Sequence, residues 1–104
     1  MVDKKYKIII SNQAQHMLRA HMRFMAQANK AAAVEVKKDL VAAIRSLQQM
    51  PYRFPFFNEL YMPPNKYHKM YVPKWYLMLY QVQDDNVYVD YILDCREDYG
   101  WLLR

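Results

Sequence analysis

The chain has 104 residues, 54% of them hydrophobic, with a formal charge of +5 and a pI near 9.3. That size fits one domain spanning residues 1–104 with a single core, and the apolar content argues against disorder. The basic balance suits a polyanion or an acidic partner and excludes little else.

Tyr6-Lys7-Ile8-Ile9-Ile10 is short and β-branched and reads as a first strand. Ser11-Asn12 supplies an N-cap for a helix from Gln13 to about Ala28. Its apolar stripe is Ala14, Met17, Leu18, His21, Phe24, Met25 and Ala28, with Arg19, Arg23 and Gln27 on another side. Asn29-Lys30 interrupts the pattern. Asn29 is suited either to close the first helix in the left-handed conformation or to cap the next. The second helix is predicted from Ala31 to Met50, where Pro51 stops it. Its buried stripe is Ala33, Val36, Leu40, Ala43, Ile44 and Leu47, and Lys37, Lys38, Asp39 and Arg45 face solvent. So short a connection makes the two helices antiparallel neighbours.

Residues 51–65 carry four of the five prolines together with Phe54, Phe56 and Phe57. This stretch reads as a loop pinned to the core by its aromatics. Three strands follow, Tyr67–Val72, Trp75–Val82 and Val87–Leu93. Tight turns at Val72-Pro73-Lys74 and Asp84-Asp85-Asn86 make them an antiparallel meander. In the last strand strict alternation puts Val87, Val89, Tyr91 and Leu93 on the helix side. Tyr88, Asp90, Ile92 and Asp94 then face away. Continued one step further, it buries Cys95 and turns Arg96 outward. The expected fold is α+β, in the order β-α-α-β-β-β, with a helical hairpin on one face of a small, mostly antiparallel sheet. The other face is expected to be a basic floor.

One cysteine forbids an internal disulfide, and the Met1–Lys5 start has no apolar run behind it, so no signal peptide is expected. No run is long enough to span a membrane, and a reducing cytoplasm is the expected compartment. A single glycine, Gly100, rules out phosphate-binding glycine loops and dinucleotide fingerprints. His16 and His21 stand five apart, which does not bring them to one helix face, and no zinc motif is present. Neither a metal nor a cofactor is expected. Cys95 reads as a small buried hydrophobe, with a cation-activated nucleophile as the alternative.

The chemistry this set of residues suggests is RNA cleavage by internal attack. That reaction needs a base for the 2′-hydroxyl, cations for the phosphate and an acid for the leaving oxygen. His68 suits the base or acid, Lys69, Lys74 and Arg96 the cations, and Tyr99 an acid or stacking platform, with Tyr67 beside them. Against this stand plainer readings: Lys69 and Lys74 as solvated charges, and Arg96 paired with Asp94 or Asp98.

The element order, the Pro51–Phe57 loop, the Tyr76–Val82 strand and the Asp94-Cys95-Arg96-Glu97-Asp98-Tyr99 ending resemble the RelE/ParE superfamily of bacterial toxins. The resemblance covers nearly the whole chain and is strongest from Tyr67 to Leu103. It implies the toxin of a type II toxin–antitoxin module, wrapped by a cognate antitoxin protein. RelE-like members cut messenger RNA in the ribosomal A site without a metal; ParE-like members inhibit DNA gyrase. RelE-like enzymes carry lysines where a direct register here puts His68 and Met70, and an arginine where this chain has Leu77. Arg96 matches their arginine after the last strand, and Tyr99 their following tyrosine in rough spacing. His68 would then stand in for a lysine as proton carrier. The long hairpin looks more like ParE. An acidic amphipathic segment of an antitoxin would suit Arg19, Arg23, Lys37, Lys38 and Arg45. The rival from another class is a catalytically inactive binding module on the same scaffold.

Overall fold

The computed structural model describes residues 4–59, 63–72 and 76–95. The elements are β1 (Lys7–Ile10), α1 (Asn12–Ala28), α2 (Lys30–Ser46), a 3-10 turn (Pro51–Arg53), β2 (His68–Val72), β3 (Tyr76–Gln83) and β4 (Asn86–Asp94). The expected order β-α-α-β-β-β holds. The sheet order is β1-β4-β3-β2, with β1 parallel to β4 and the other pairs antiparallel.

Ser11 starts α1 by accepting from the Ala14 amide at 3.0 Å, which satisfies one of the unpaired amides of a helix start. Its own hydroxyl donates to the carbonyl of Asp90 at 3.3 Å, so the helix start is tied to β4. Asn29 serves both helices at once. Its amide donates to the Met25 carbonyl and its Oδ1 accepts from the Ala32 amide at 3.0 Å. Its backbone is extended (φ −161°), so neither role uses the left-handed conformation.

The α2 stripe is as its period predicts: Ala33, Val36, Leu40, Ala43, Ile44 and Leu47 are all buried. The helix ends at Ser46, four residues before the expected Met50. Met50 precedes a proline, which disfavours the α conformation, and it adopts φ 50° and ψ 53°. Arg53 closes this end by donating to the carbonyls of Ser46, Gln49 and Met50 at 3.2, 2.7 and 3.0 Å. On α1, Phe24 departs from the expected stripe and is 67% exposed. It sits one residue, or 100°, from the half-buried Met25, and Met22 packs on the core instead.

Of the loop aromatics expected to pin it, Phe54 and Phe57 pack on the apolar clusters while Phe56 is 40% exposed, and hydrogen bonds hold the rest of the segment. The Tyr80 phenol donates to the Pro51 carbonyl at 2.7 Å, the Lys69 amide to Pro55 at 2.9 Å, and the Phe57 amide to Tyr67 at 2.6 Å. Those backbone bonds cover the outer edge of β2.

Strand alternation fails at one point. Leu79 pairs with Tyr91 but Tyr80 pairs with Val89, which leaves Asp90 as a bulged residue. A one-residue slip exchanges the faces of everything beyond it. Val87, Val89 and Ile92 therefore join the core under the helices with Leu40, Ile44 and Leu47. Tyr91 and Leu93 pass to the other side, beside Tyr67, Leu77 and Leu79. The expected grouping of Tyr91 and Leu93 with Val87 and Val89 is thus corrected. So are the expectations that Ile92 and Asp94 face outward and Cys95 inward: Ile92 and Asp94 are buried and Cys95 is exposed.

Candidate functional site

The face of the sheet turned from the helices differs from the expected basic floor over its described part. It holds a buried apolar cluster of Tyr67, Leu77, Leu79 and Leu93, flanked by Phe57, Tyr91 and, from α1, Met17. At its centre lies the bulged Asp90. Its Oδ2 accepts from the Tyr67 phenol at 3.0 Å and from the Gln81 amide at 2.8 Å. Burial first, then the Asp90 charge and hydrogen bond, push the Tyr67 hydroxyl well above its ordinary range. A phenol held so firmly protonated is a structural donor to the carboxylate. Strand alternation places Lys69 on this side too, half-buried and opposite Leu79.

His68 points the other way. It is 4% exposed and pairs with Tyr80 across the strands. Its ring stacks between Phe56 at 4.3 Å and Tyr80 at 5.2 Å, with the Tyr52 ring edge-on at 5.9 Å. The Nδ1 atom lies 2.8 Å from the Phe54 carbonyl. His68 and Lys69, adjacent in sequence, thus lie on opposite faces of β2. Lys74, Arg96 and Tyr99 lie outside the described residues. Cys95 has a thiol pushed up by burial and then by the neighbouring Asp94 charge, the reverse of an activated thiolate. Among the described residues no three His, Cys, Asp or Glu side chains converge, and no helix is long and apolar enough to cross a membrane.

The helical cations fare differently. Arg19, Arg23, Lys37, Lys38 and Arg45 are all exposed. Four of them border two grooves. One, of ≈410 Å³, runs between the end of β1 and α1, lined by Ile10, Gln15, Leu18, Arg19, Met22 and Lys37. The other, of ≈460 Å³, lies along the outer side of α2, lined by Val34, Lys37, Lys38, Val41, Ala42 and Arg45. Arg23 lines neither. Sequence reasoning found these cations but missed the apolar floor between them. Val34 and Val41, seven apart and off the buried stripe, were its signal.

The family described as "ParE toxin of type II toxin-antitoxin system, parDE" has a model that matches residues 8–99, most of the chain. The chain belongs to the ParE toxin family. Among solved structures, this ParE-family chain is similar to "Chromosomal ParDE TA system from P. aeruginosa", with a TM-score of 0.72. The alignment covers 88% of this chain and 97% of that one at 14% identity, a likeness that shows the fold alone. Among curated proteins none matches. The resemblance to RelE/ParE toxins is therefore borne out, on the ParE side of the superfamily.

Proposed function

We propose that this chain is the growth-inhibiting toxin of a type II toxin–antitoxin pair, and that it acts in the cytoplasm by binding DNA gyrase. A cognate antitoxin is its neutralising partner. Membership of the ParE family supports the toxin reading.

The observation that carries the choice of target is the seat of His68. A proton carrier for RNA cleavage has to reach the 2′-hydroxyl within hydrogen-bond distance. His68 is closed in by three aromatic rings, and one ring nitrogen lies against a backbone carbonyl. A toxin that works by occupying a protein surface needs no such group. The described sheet face carries the half-buried cation Lys69 beside an apolar cluster and a hydrogen-bonded carboxylate, which is a poor cradle for phosphate.

Controlled expression without an antitoxin tests this reading. Growth arrest with induction of the DNA-damage response, and intact transcripts on ribosomes, is the expected result. Transcripts cut at ribosomal A sites would overturn the choice of target. Normal growth would reduce the chain to a binding module.

A further inference from the structure

Three rings form a column at the start of β2. Tyr80 lies innermost, His68 stacks on it at 5.2 Å and 18°, and Phe56 stacks on His68 at 4.3 Å and 27°. Tyr80 is fully buried and His68 is 4% exposed, whereas Phe56 is 40% exposed. With its inner face on His68, Phe56 ends the column and turns its other face to solvent. The Tyr52 ring stands beside the column, edge-on to His68 at 5.9 Å and 77°, and is 60% exposed. Tyr52 in turn meets Tyr6 edge-on at 6.3 Å. Backbone carbonyls fix the column: Pro51 accepts from the Tyr80 phenol, and Phe54 lies 2.8 Å from Nδ1 of His68. A ring held flat by such contacts, with one face free, is organised in advance to receive another ring.

Two cations border this surface. The Lys4 ammonium sits 5.0 Å over the Tyr6 ring. It pairs with Asp85, but both side chains are more than half exposed, so water screens the pair and a phosphate can take the place of the carboxylate. Arg53 follows Tyr52 in the chain and lies 4.6 Å over the Phe54 ring. Its charge also reaches the Tyr80 phenol at the base of the column. Its hydrogen bonds leave from the two terminal nitrogens, and among the described residues none leaves from Nε.

We propose that Phe56 and Tyr52 form a stacking platform for an unpaired base of single-stranded DNA, with Lys4 and Arg53 on the neighbouring phosphates. A base laid on Phe56 continues the column as its fourth ring, and Tyr52 bounds it at the side. Exposed aromatics beside cations are the pattern that binds single strands, because every base has a π-face. A duplex keeps its base faces stacked on one another and offers the platform none. A protein surface is a poorer match, since Met50, Tyr52 and Phe56 are only three partly exposed side chains. They fall well short of the ~800 Å² per partner that a stable protein pair buries. A second copy would also set a net charge of +5 against another. The platform faces no group that reads a sugar, so the choice of DNA over RNA rests on the reading of the target as gyrase.

The test is fluorescence anisotropy of the full chain with a labelled strand of about 12 thymidines, a length within the usual site size of a single-strand binder. An abasic strand of the same length carries the same charge and no rings. The thymidine strand should bind at least about tenfold more tightly than the abasic strand or a blunt duplex. Phe56→Leu, which keeps an apolar cover on His68, should weaken it at least about fivefold, and so, separately, should Tyr52→Ala at its exposed position. Thermal melts report that both variants are folded. Affinity should fall with salt at a log–log slope of about −1.4, for two phosphates on a single strand, and Lys4→Gln should halve that slope. Lys38→Gln, on the outer side of α2, should leave affinity within about twofold. Equal binding of the abasic strand would overturn the proposal, as would indifference to both Phe56→Leu and Tyr52→Ala. A uridine strand that binds about tenfold more tightly than the thymidine strand would overturn the choice of DNA. No gyrase enters these measurements. A chain that stacks the strand and leaves supercoiling intact loses the gyrase reading and keeps the platform.

Discussion

The phenol of Tyr67 donates to Oδ2 of Asp90 at 3.0 Å, from the residue before β2 to the one bulged residue of β4. That contact, with the Gln81 amide on the same oxygen, holds the carboxylate on the face away from the helices. Asp90→Ala strands two donors, so it should cost about 2–3 kcal/mol. Tyr67→Phe removes one donor and leaves the carboxylate its second partner, and should cost about 1 kcal/mol. Urea denaturation of the two variants checks both the costs and their order.

Alkaline pH should unfold the protein through its buried phenols. Burial pushes Tyr80 from 10.0 up to about 12. A raised pKa means the folded state holds its proton when the unfolded state has lost it. The stability from this phenol is complete below pH 10 and declines as pH rises from 10 to 12. Tyr67, shifted in the same direction, adds to the decline. Melting temperatures from pH 8 to 12 should fall from about pH 10. Tyr80→Phe should flatten that fall, at the cost of the 2.7 Å bond to Pro51.

His68→Ala should act on stability. It removes a buried ring stacked between Phe56 and Tyr80 together with its contact to the Phe54 carbonyl. The expected cost is about 2–4 kcal/mol. Chemical denaturation measures it. Growth inhibition per mole of folded protein should stay near the parental value, where a catalytic role would abolish it.

Met50 holds a left-handed backbone with its side chain 73% exposed, and Arg53 clamps the carbonyls around it. Met50→Gly should raise stability by about 1 kcal/mol, because glycine carries no penalty there. Arg53→Ala should lower it by about 1 kcal/mol, since the carbonyls of Ser46, Gln49 and Met50 lose a charged donor. Thermal melts of the two variants should move in opposite directions.

The α2 core face was legible because six apolar residues keep the helical period without interruption. The double duty of Asn29 was half legible. Its side chain suits either cap, and only the chain path shows that it performs both. The bulge at Asp90 left no mark in composition. Tyr88-Val89-Asp90-Tyr91-Ile92 alternates as well in one register as in the other, and one extra residue exchanged the faces of Tyr91 through Asp94. His68 was misplaced for a related reason. Its pattern fixed that it shares a face with Met70, but not that the Phe54–Phe56 loop would cover that face. The cations of the hairpin were visible singly, while the groove beside Arg19 depends on how the end of β1 meets α1.

DNA supercoiling by purified gyrase, titrated with the purified chain, tests the central claim most directly. The account predicts that supercoiling falls as the chain is added and recovers when an acidic antitoxin-like partner is present in excess. Unchanged supercoiling at a large molar excess of folded chain would contradict it.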